Sequence, residues 1–436
     1  MARVIRMSYR RTAALATIAL GIAGICGSSE RAIAAPDSAA LSDLGRHLFF
    51  DPSLSASGKL SCATCHDPRY AYGPPPNKAL AKGGPKMDRP GTRAVPSLRY
   101  LNQVPLFSEK TKLSDGGTGP AGGLTWDGRA ASLHEQASIP LLAANEMANL
   151  TPAAVVAKLR RGTYAAQFKA LFGPNVFERA DFAFAQALLA LEAFQHTPAE
   201  FYPYSSKYDA YLRGELQLTD QEKRGLEVFN HPGRGNCANC HLTTSVNGVP
   251  PAFTDFEFDN IGVPRNPRIP ANADASYYDM GLCGPSRADL AAQKNYCGLF
   301  RTPTLRNVAL RDAFFHNGVF NNLRQVLQFY QQRDVLPWKW YPRNPDGTVD
   351  KVNDLPFALR NSLNTDPPFS GRLGGQLGAI SDTDIDDLAA FLQTLTDGYQ
   401  PSPSQQAAVT GPRSAPPPND LQQFPTGTSF TVLTQK

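Results

Sequence analysis

A mainly α-helical fold built as two similar halves is what this 436-residue sequence predicts, from three observations. The pentapeptide Cys-x-x-Cys-His occurs twice, as Cys62-Ala63-Thr64-Cys65-His66 and as Cys237-Ala238-Asn239-Cys240-His241. A similar helical stretch precedes each copy, Leu44 to Pro52 in one case and Arg224 to Pro232 in the other, both ending in a proline-containing turn. Apolar residues recur at helical spacing elsewhere, while strand signals are sparse. Two thiols at this spacing add across the vinyl groups of a haem, and the imidazole that follows is held over the iron. A zinc site made of both Cys pairs, or a thioredoxin-like redox pair, needs no histidine after the second cysteine in both places. The fold class is therefore two cytochrome c-like haem domains with long ordered loops. Cys62, Cys65 and His66 bind one c-type haem, and Cys237, Cys240 and His241 bind the other.

Taken in chain order, residues 1–34 read as a secretory signal peptide: Arg3, Arg6, Arg10 and Arg11, an apolar run from Thr12 to Cys26, and small residues up to Ala34. The run is shorter than the ~20 residues a membrane span needs, and no later segment qualifies. Ile25 before Cys26 argues against lipoprotein processing. Export to the periplasm agrees with covalent haem and with a disulfide between Cys283 and Cys297, the two cysteines left once the haems and Cys26 are accounted for; free thiols are the alternative. The formal charge is +5, but residues 1–34 hold five arginines against one glutamate, leaving about +1 beyond them. No nucleic-acid partner is implied.

The length beyond the signal suits two domains, 35–200 and 201–399, joined in the stretch His196 to Gly214. Thr151-Pro152 starts a helix with proline in its first turn, and Asp181 to Gln195 is a second apolar helix. Thr219 and Glu222 form a capping box that opens the helix before the second haem motif. A closing helix runs from Ser381 to Leu395, with Ser381 and Asp384 as its capping box and Ile385, Leu388, Ala389, Leu392 and Leu395 at helical spacing. Stretches 73–96, 247–275 and 336–376, rich in Pro and Gly, read as long ordered loops. Residues 400–436 read as a Pro-rich disordered tail.

Four further segments carry a resemblance: Leu48-Phe49-Phe50-Asp51-Pro52; Trp126-Asp127-Gly128-Arg129-Ala130 followed by Glu135-Gln136-Ala137 and Glu146-Met147; Phe300 to Leu310; and Phe315-His316-Asn317-Gly318. Together they resemble the bacterial di-haem cytochrome c peroxidase and MauG family over most of 40–398. The resemblance implies that Trp126 lies between the haems, and that Gln136, Pro140 and Glu146 line the open face of the peroxide-reacting haem. A carboxylate there suits the chemistry, because peroxide must lose a proton from one oxygen and gain it on the other before the O–O bond breaks.

Two departures from the electron-fed peroxidases point towards the MauG-like members. No histidine occurs between His66 and His134 to cap the first iron. Fourteen residues after His316, where those peroxidases have a methionine ligand, this chain has Tyr330, whose phenolate would favour ferric and more oxidised iron. Met280 and His316 stay open as alternative ligands. The family's calcium site uses an asparagine where this chain has Ala94, so calcium lacks its strongest oxygen ligand but stays open. The surface tryptophan through which MauG draws electrons has no counterpart at Gly235 and Asn236. Trp338 and Trp340 are either a different inlet for electrons or loop anchors.

The resulting expectation is a periplasmic peroxidase. His66 holds the peroxide-reacting iron, and His241 with Tyr330 holds a six-coordinate partner that stores an oxidising equivalent. Trp126 couples the two. The electron donor would be a small cytochrome c, a cupredoxin or the aromatic residues of a protein substrate. The non-enzymatic alternative is a di-haem electron carrier.

Overall fold

The computed structural model describes residues 37–245, 248–369 and 373–401. The expected signal peptide and residues 402–436 of the expected tail lie outside them. Asp37 caps α1 (Ser38–Phe50), which stops where Pro52 can no longer supply a backbone donor. Next come α2 (Cys62–Cys65), α3 (Leu133–Leu142), α4 (Pro152–Leu159), α5 (Ala165–Phe172), α6 (Ala180–Gln195), α7 (Pro198–Phe201) and α8 (Lys207–Leu212). The second half contains α9 (Asp220–Asn230), α10 (Leu323–Gln332) and α11 (Asp382–Gln393). Strands are short antiparallel pairs: β1 (Lys82–Gly83) with β2 (Arg89–Pro90), β3 (Ser108–Lys112) with β4 (Thr118–Ala121), and β5 (Phe258–Asp259) with β6 (Phe300–Arg301). Among the described residues no helix is long and apolar enough to cross a membrane.

The predicted caps form as read. Thr219 accepts from the Glu222 amide while Glu222 accepts from that of Thr219, and Ser381 and Asp384 do the same at the start of α11. The stretch 196–214, expected as a junction, is itself folded into α7 and α8. The β3–β4 hairpin has no apolar/polar alternation to announce it, since Ser108-Glu109-Lys110-Thr111-Lys112 is polar throughout.

The two halves repeat one packing motif. In the first, α1 crosses α6 so closely that a Cβ on Gly45 would run into the backbone carbonyl of Ala190. In the second, α9 crosses α11 in the same way, with Gly225 against the carbonyl of Asp387. Each crossing carries an edge-to-face aromatic pair one turn on, Phe49 with Phe194 at 5.4 Å and Phe229 with Phe391 at 5.2 Å. One buried cluster is drawn from residues between Leu44 and Phe201, and another from residues between Tyr208 and Leu395.

Buried polar contacts tie the halves together. Arg306, held within the second half by a fully buried bidentate pair with Asp209 at 2.8 and 2.9 Å, stacks over Tyr100 of the first. Asp397 accepts from Arg99 and from the Tyr100 hydroxyl. Cys283 and Cys297 are disulfide-bonded and buried, so the free-thiol alternative falls away.

Candidate functional site

One cavity of about 580 Å³ runs between the halves, and the expected haem-binding and catalytic residues line it: Cys62, Cys65, His66, Trp126, Gln136, Glu146, Cys237, Cys240, His241 and Tyr330. The helical turn of α2 places Cys62 and Cys65 on one side, and the His66 amide closes that turn on the Cys62 carbonyl at 2.8 Å. His241 repeats the bond to Cys237 at 2.8 Å. Each imidazole donates its Nδ1 proton to a backbone carbonyl, His66 to Tyr72 at 3.1 Å and His241 to Phe253 at 3.0 Å. That fixes the tautomer with the Nε2 lone pair free for a metal. Burial lowers both imidazoles to about 4, so they are neutral at neutral pH. The same burial pushes the Cys62 and Cys237 thiols up to about 12. By surface area these side chains are only half-buried, but the open part belongs to the cavity they line, and the protein around it supplies the desolvation.

The remainder of the wall fits a haem. Arg301 and Arg311 face the cavity, and desolvation lowers each guanidinium to about 10. Their hydrogen bonds go to backbone carbonyls, Arg301 to Thr125 and Arg311 to Val95 and Ala313, while Asp255 and Asp312 act on them only through space. Two desolvated cations without an ion pair suit the propionates of an anionic cofactor. Thiols, free imidazole lone pairs and these cations form a donor set that a c-type haem would satisfy at both ends of the cavity. Neither arginine was singled out from the sequence. Arg301 sits inside a quoted motif, but its role shows only once its neighbours are known.

On the His66 side, α3 opens on Ser132, whose hydroxyl accepts from the Glu135 amide, and presents Gln136 and Pro140 to the cavity. The turn after the helix sets Glu146. Its amide bonds to the Ala143 carbonyl at 2.9 Å, and its carbonyl accepts from Gly84 at 2.8 Å. Glu146 is exposed by area but into the cavity, and desolvation raises its carboxyl above the ordinary carboxylate range, with Arg129 opposing.

Trp126 lines the same cavity, where its indole donates to the Ala94 carbonyl at 2.8 Å and its own carbonyl accepts from the Arg301 amide at 2.9 Å. The next residue, Asp127, is completely buried and accepts from Thr125, Arg93 and Arg129 at 2.6–2.8 Å. Arg93 turns its other nitrogens on Asp279, at 2.6 and 2.7 Å. Burial would raise both carboxyls, but the guanidinium groups outweigh it and hold them below the usual range. Residues near Ala94 therefore do not fit calcium. The two nearby carboxylates are already neutralised, and the Ala94 carbonyl is taken by the indole.

On the His241 side, α10 presents Tyr330, stacked on Phe369 with ring centroids 5.3 Å apart. Burial pushes its phenol far up, and Cys240 and Cys237 add to the shift, which places it beside the second motif. His316 also lines the cavity, stacked on Phe300 at 3.5 Å with its Nε2 3.5 Å from Asp354. Met280 is not on the wall; its carbonyl caps the end of the disulfide loop at Gly298. Trp340 packs against Phe320 and Phe329 as a loop anchor, while Trp338 is exposed. Sequence reasoning also missed Asp255, a buried carboxyl raised to about 8 mainly by desolvation.

Comparison with known proteins shows the family. The family model described as di-haem cytochrome c peroxidase matches residues 39–217. The methylamine utilization protein MauG of Paracoccus denitrificans is 38% identical over 404 residues, 90% of this chain and 97% of the relative. Cytochrome c551 peroxidase of Nitrosomonas europaea is 28% identical over 82% of this chain and 92% of its own length. Among solved structures, the crystal structure of the diheme peroxidase BthA from Burkholderia thailandensis superposes with a TM-score of 0.74 at 38% identity, covering 83% of this chain and 87% of that one.

Proposed function

Because the chain belongs to the di-haem cytochrome c peroxidase family, we propose that it is an exported, MauG-like peroxidase with two covalently attached c-type haems, one in each of two cytochrome c-like domains, 35–200 and 201–399. It reduces hydrogen peroxide to water with two electrons and two protons, taken from a small cytochrome c, a cupredoxin or aromatic side chains of a partner protein. The observation that carries this reading is the single cavity that joins both Cys-x-x-Cys-His motifs while giving them different surroundings. Gln136, Pro140 and Glu146 stand on the His66 side and Tyr330 on the His241 side.

When bound, the haem over His66 supplies an iron that accepts peroxide, and the haem over His241 stores an oxidising equivalent. The chain's residues do the rest. His66 and His241 offer neutral Nε2 lone pairs, held in register by the Tyr72 and Phe253 carbonyls. Glu146, its carboxyl raised by desolvation, takes a proton from one peroxide oxygen and returns it to the other, while Gln136 offers a neutral hydrogen bond nearby. Trp126 lies between the two ends of the cavity and couples them. Tyr330 would hold iron through its phenolic oxygen on the His241 side, where the metal's charge would offset the burial that raises its pKa. A pure electron carrier would need a sixth ligand on the His66 side too. Among the described residues the histidines that line the cavity are His66, His241 and His316, and His316 is stacked on Phe300 beside Asp354.

The resting ferric protein is expected to show one high-spin and one low-spin haem by electron paramagnetic resonance and to react with stoichiometric peroxide without prior reduction. Two low-spin signals, with reactivity appearing only after one-electron reduction, would contradict the open site over His66. Tyr330→Phe is expected to keep both haems attached, since attachment depends on cysteines, but to change the low-spin signal. If that signal persists unchanged, His316 becomes the favoured ligand.

A further inference from the structure

We infer that Arg93 is a positioning residue for Trp126: a fixed cation, clamped between Asp127 and Asp279, that holds the indole in place without a bound metal. The inference rests on the reading above in which Trp126 couples the two haems. Arg93 uses Nη1 on Asp127 and Nε with Nη2 on Asp279, so one planar guanidinium joins residues far apart in the chain. Of the two partners, Asp279 anchors the far side of the guanidinium and Asp127 sits next to Trp126. The Asp127 carbonyl is gripped from the other side by Arg287 at 2.9 Å. Arg287 lies inside the loop closed by Cys283 and Cys297 and packs over the Phe107 ring at 4.2 Å. Ala94, next to Arg93, receives the indole proton and gives its own amide to the His316 carbonyl at 2.7 Å. The indole is thus fixed at its nitrogen by the residue after Arg93, and through the chain by the carboxylate that Arg93 holds.

Neutralising Arg93 would leave the buried Asp279 with no guanidinium partner and Asp127 with Arg129 alone. The 93–94 segment must then shift, and the hydrogen bond to the indole shifts with it. A lysine keeps the charge but loses the fork. An arginine doing this makes the coupling independent of divalent ions.

The test uses the holoenzyme, half-reduced, with carbon monoxide on the open haem. A laser flash removes the carbon monoxide that holds the electron on that haem, the electron then redistributes between the two haems at a rate that sums forward and back transfer, and the indole neither gains nor loses one overall. Arg93→Gln, with parental haem content, should slow this transfer by about tenfold or more, a size typical of lost positioning. Arg93→Lys should recover most of the rate, dialysis of the parent against a calcium chelator should leave it unchanged, and the Trp126 indole N–H band in ultraviolet resonance Raman should move in Arg93→Gln. If Trp126→Phe is slow but Arg93→Gln transfers at the parental rate, Arg93 positions nothing and the inference fails alone. If Trp126→Phe is also parental, the bridging role falls and takes the inference with it. If the chelator slows the parent as much as Arg93→Gln does, a bound ion holds the indole and the inference is overturned. Should Arg93→Gln not fold, Asp279→Asn, which removes one charge at constant shape, is read by the same criteria.

Discussion

Glu146→Gln is expected to slow peroxide consumption by about 10²-fold, the usual size of a lost acid-base contribution, while haem content and resting spectra stay those of the parent. The amide preserves shape and loses only the titratable proton. Desolvation raises the Glu146 carboxyl, so the acidic limb of the parental pH profile should lie above the ordinary carboxylate range. The sign follows from the role. The ionised form must accept the first proton, so the rate climbs as pH rises through the raised pKa. In Glu146→Gln that limb should vanish. Stopped-flow mixing of ferric protein with peroxide across pH checks both points. A variant within a few-fold of the parent, or one that keeps the limb, would pass the proton route to water or Gln136.

Gly45→Ala and Gly225→Ala are each expected to destabilise the fold by about 3 kcal/mol, the upper end for overpacking, because the added methyl meets backbone rather than a side chain that could rotate away. Helix α1 would have to part from α6 in one case, and α9 from α11 in the other. Gly233→Ala is the control. Its nearest neighbour would be the His231 ring at 3.4 Å, and the change should stay within about 0.5 kcal/mol. Denaturant unfolding followed by circular dichroism measures all three. Midpoints for Gly45→Ala and Gly225→Ala matching the control would mean that the crossings relax freely.

What the sequence made legible was local chemistry. Both Cys-x-x-Cys-His motifs, the capping boxes at Thr219 and Ser381, and the helix that became α6 depend on residues a few positions apart, where spacing alone fixes the geometry. The likeness between Leu44–Pro52 and Arg224–Pro232 was also visible, but its reason was not. Gly45 and Gly225 matter because of Ala190 and Asp387, well over a hundred residues further along the chain. The same holds at the site. Trp126 and Glu146 were found through motif resemblance, whereas Arg301, Arg311 and Asp255 gain meaning only when folding strips water from them. The disulfide was read from compartment and cysteine arithmetic, but nothing in its spacing said that Arg287 within the loop would reach Asp127.

The separation of the two buried clusters has a bearing on how the protein matures. One is complete by Phe201 and the other begins at Tyr208, so each closes on its own stretch of chain. A polypeptide emerging N-terminus first would expose Cys62, Cys65 and His66, and then the whole of the helix that seals their lobe, before Cys237 appears. Under the proposed c-type attachment, thioether formation at the first site would not wait for the second, and each lobe would close only once its distant helix, α6 or α11, had arrived. Only afterwards would Arg99 with Asp397, and Tyr100 with Arg306, lock the lobes to one another. Cofactor loading and translation order would then run in step, with the shared cavity assembled last.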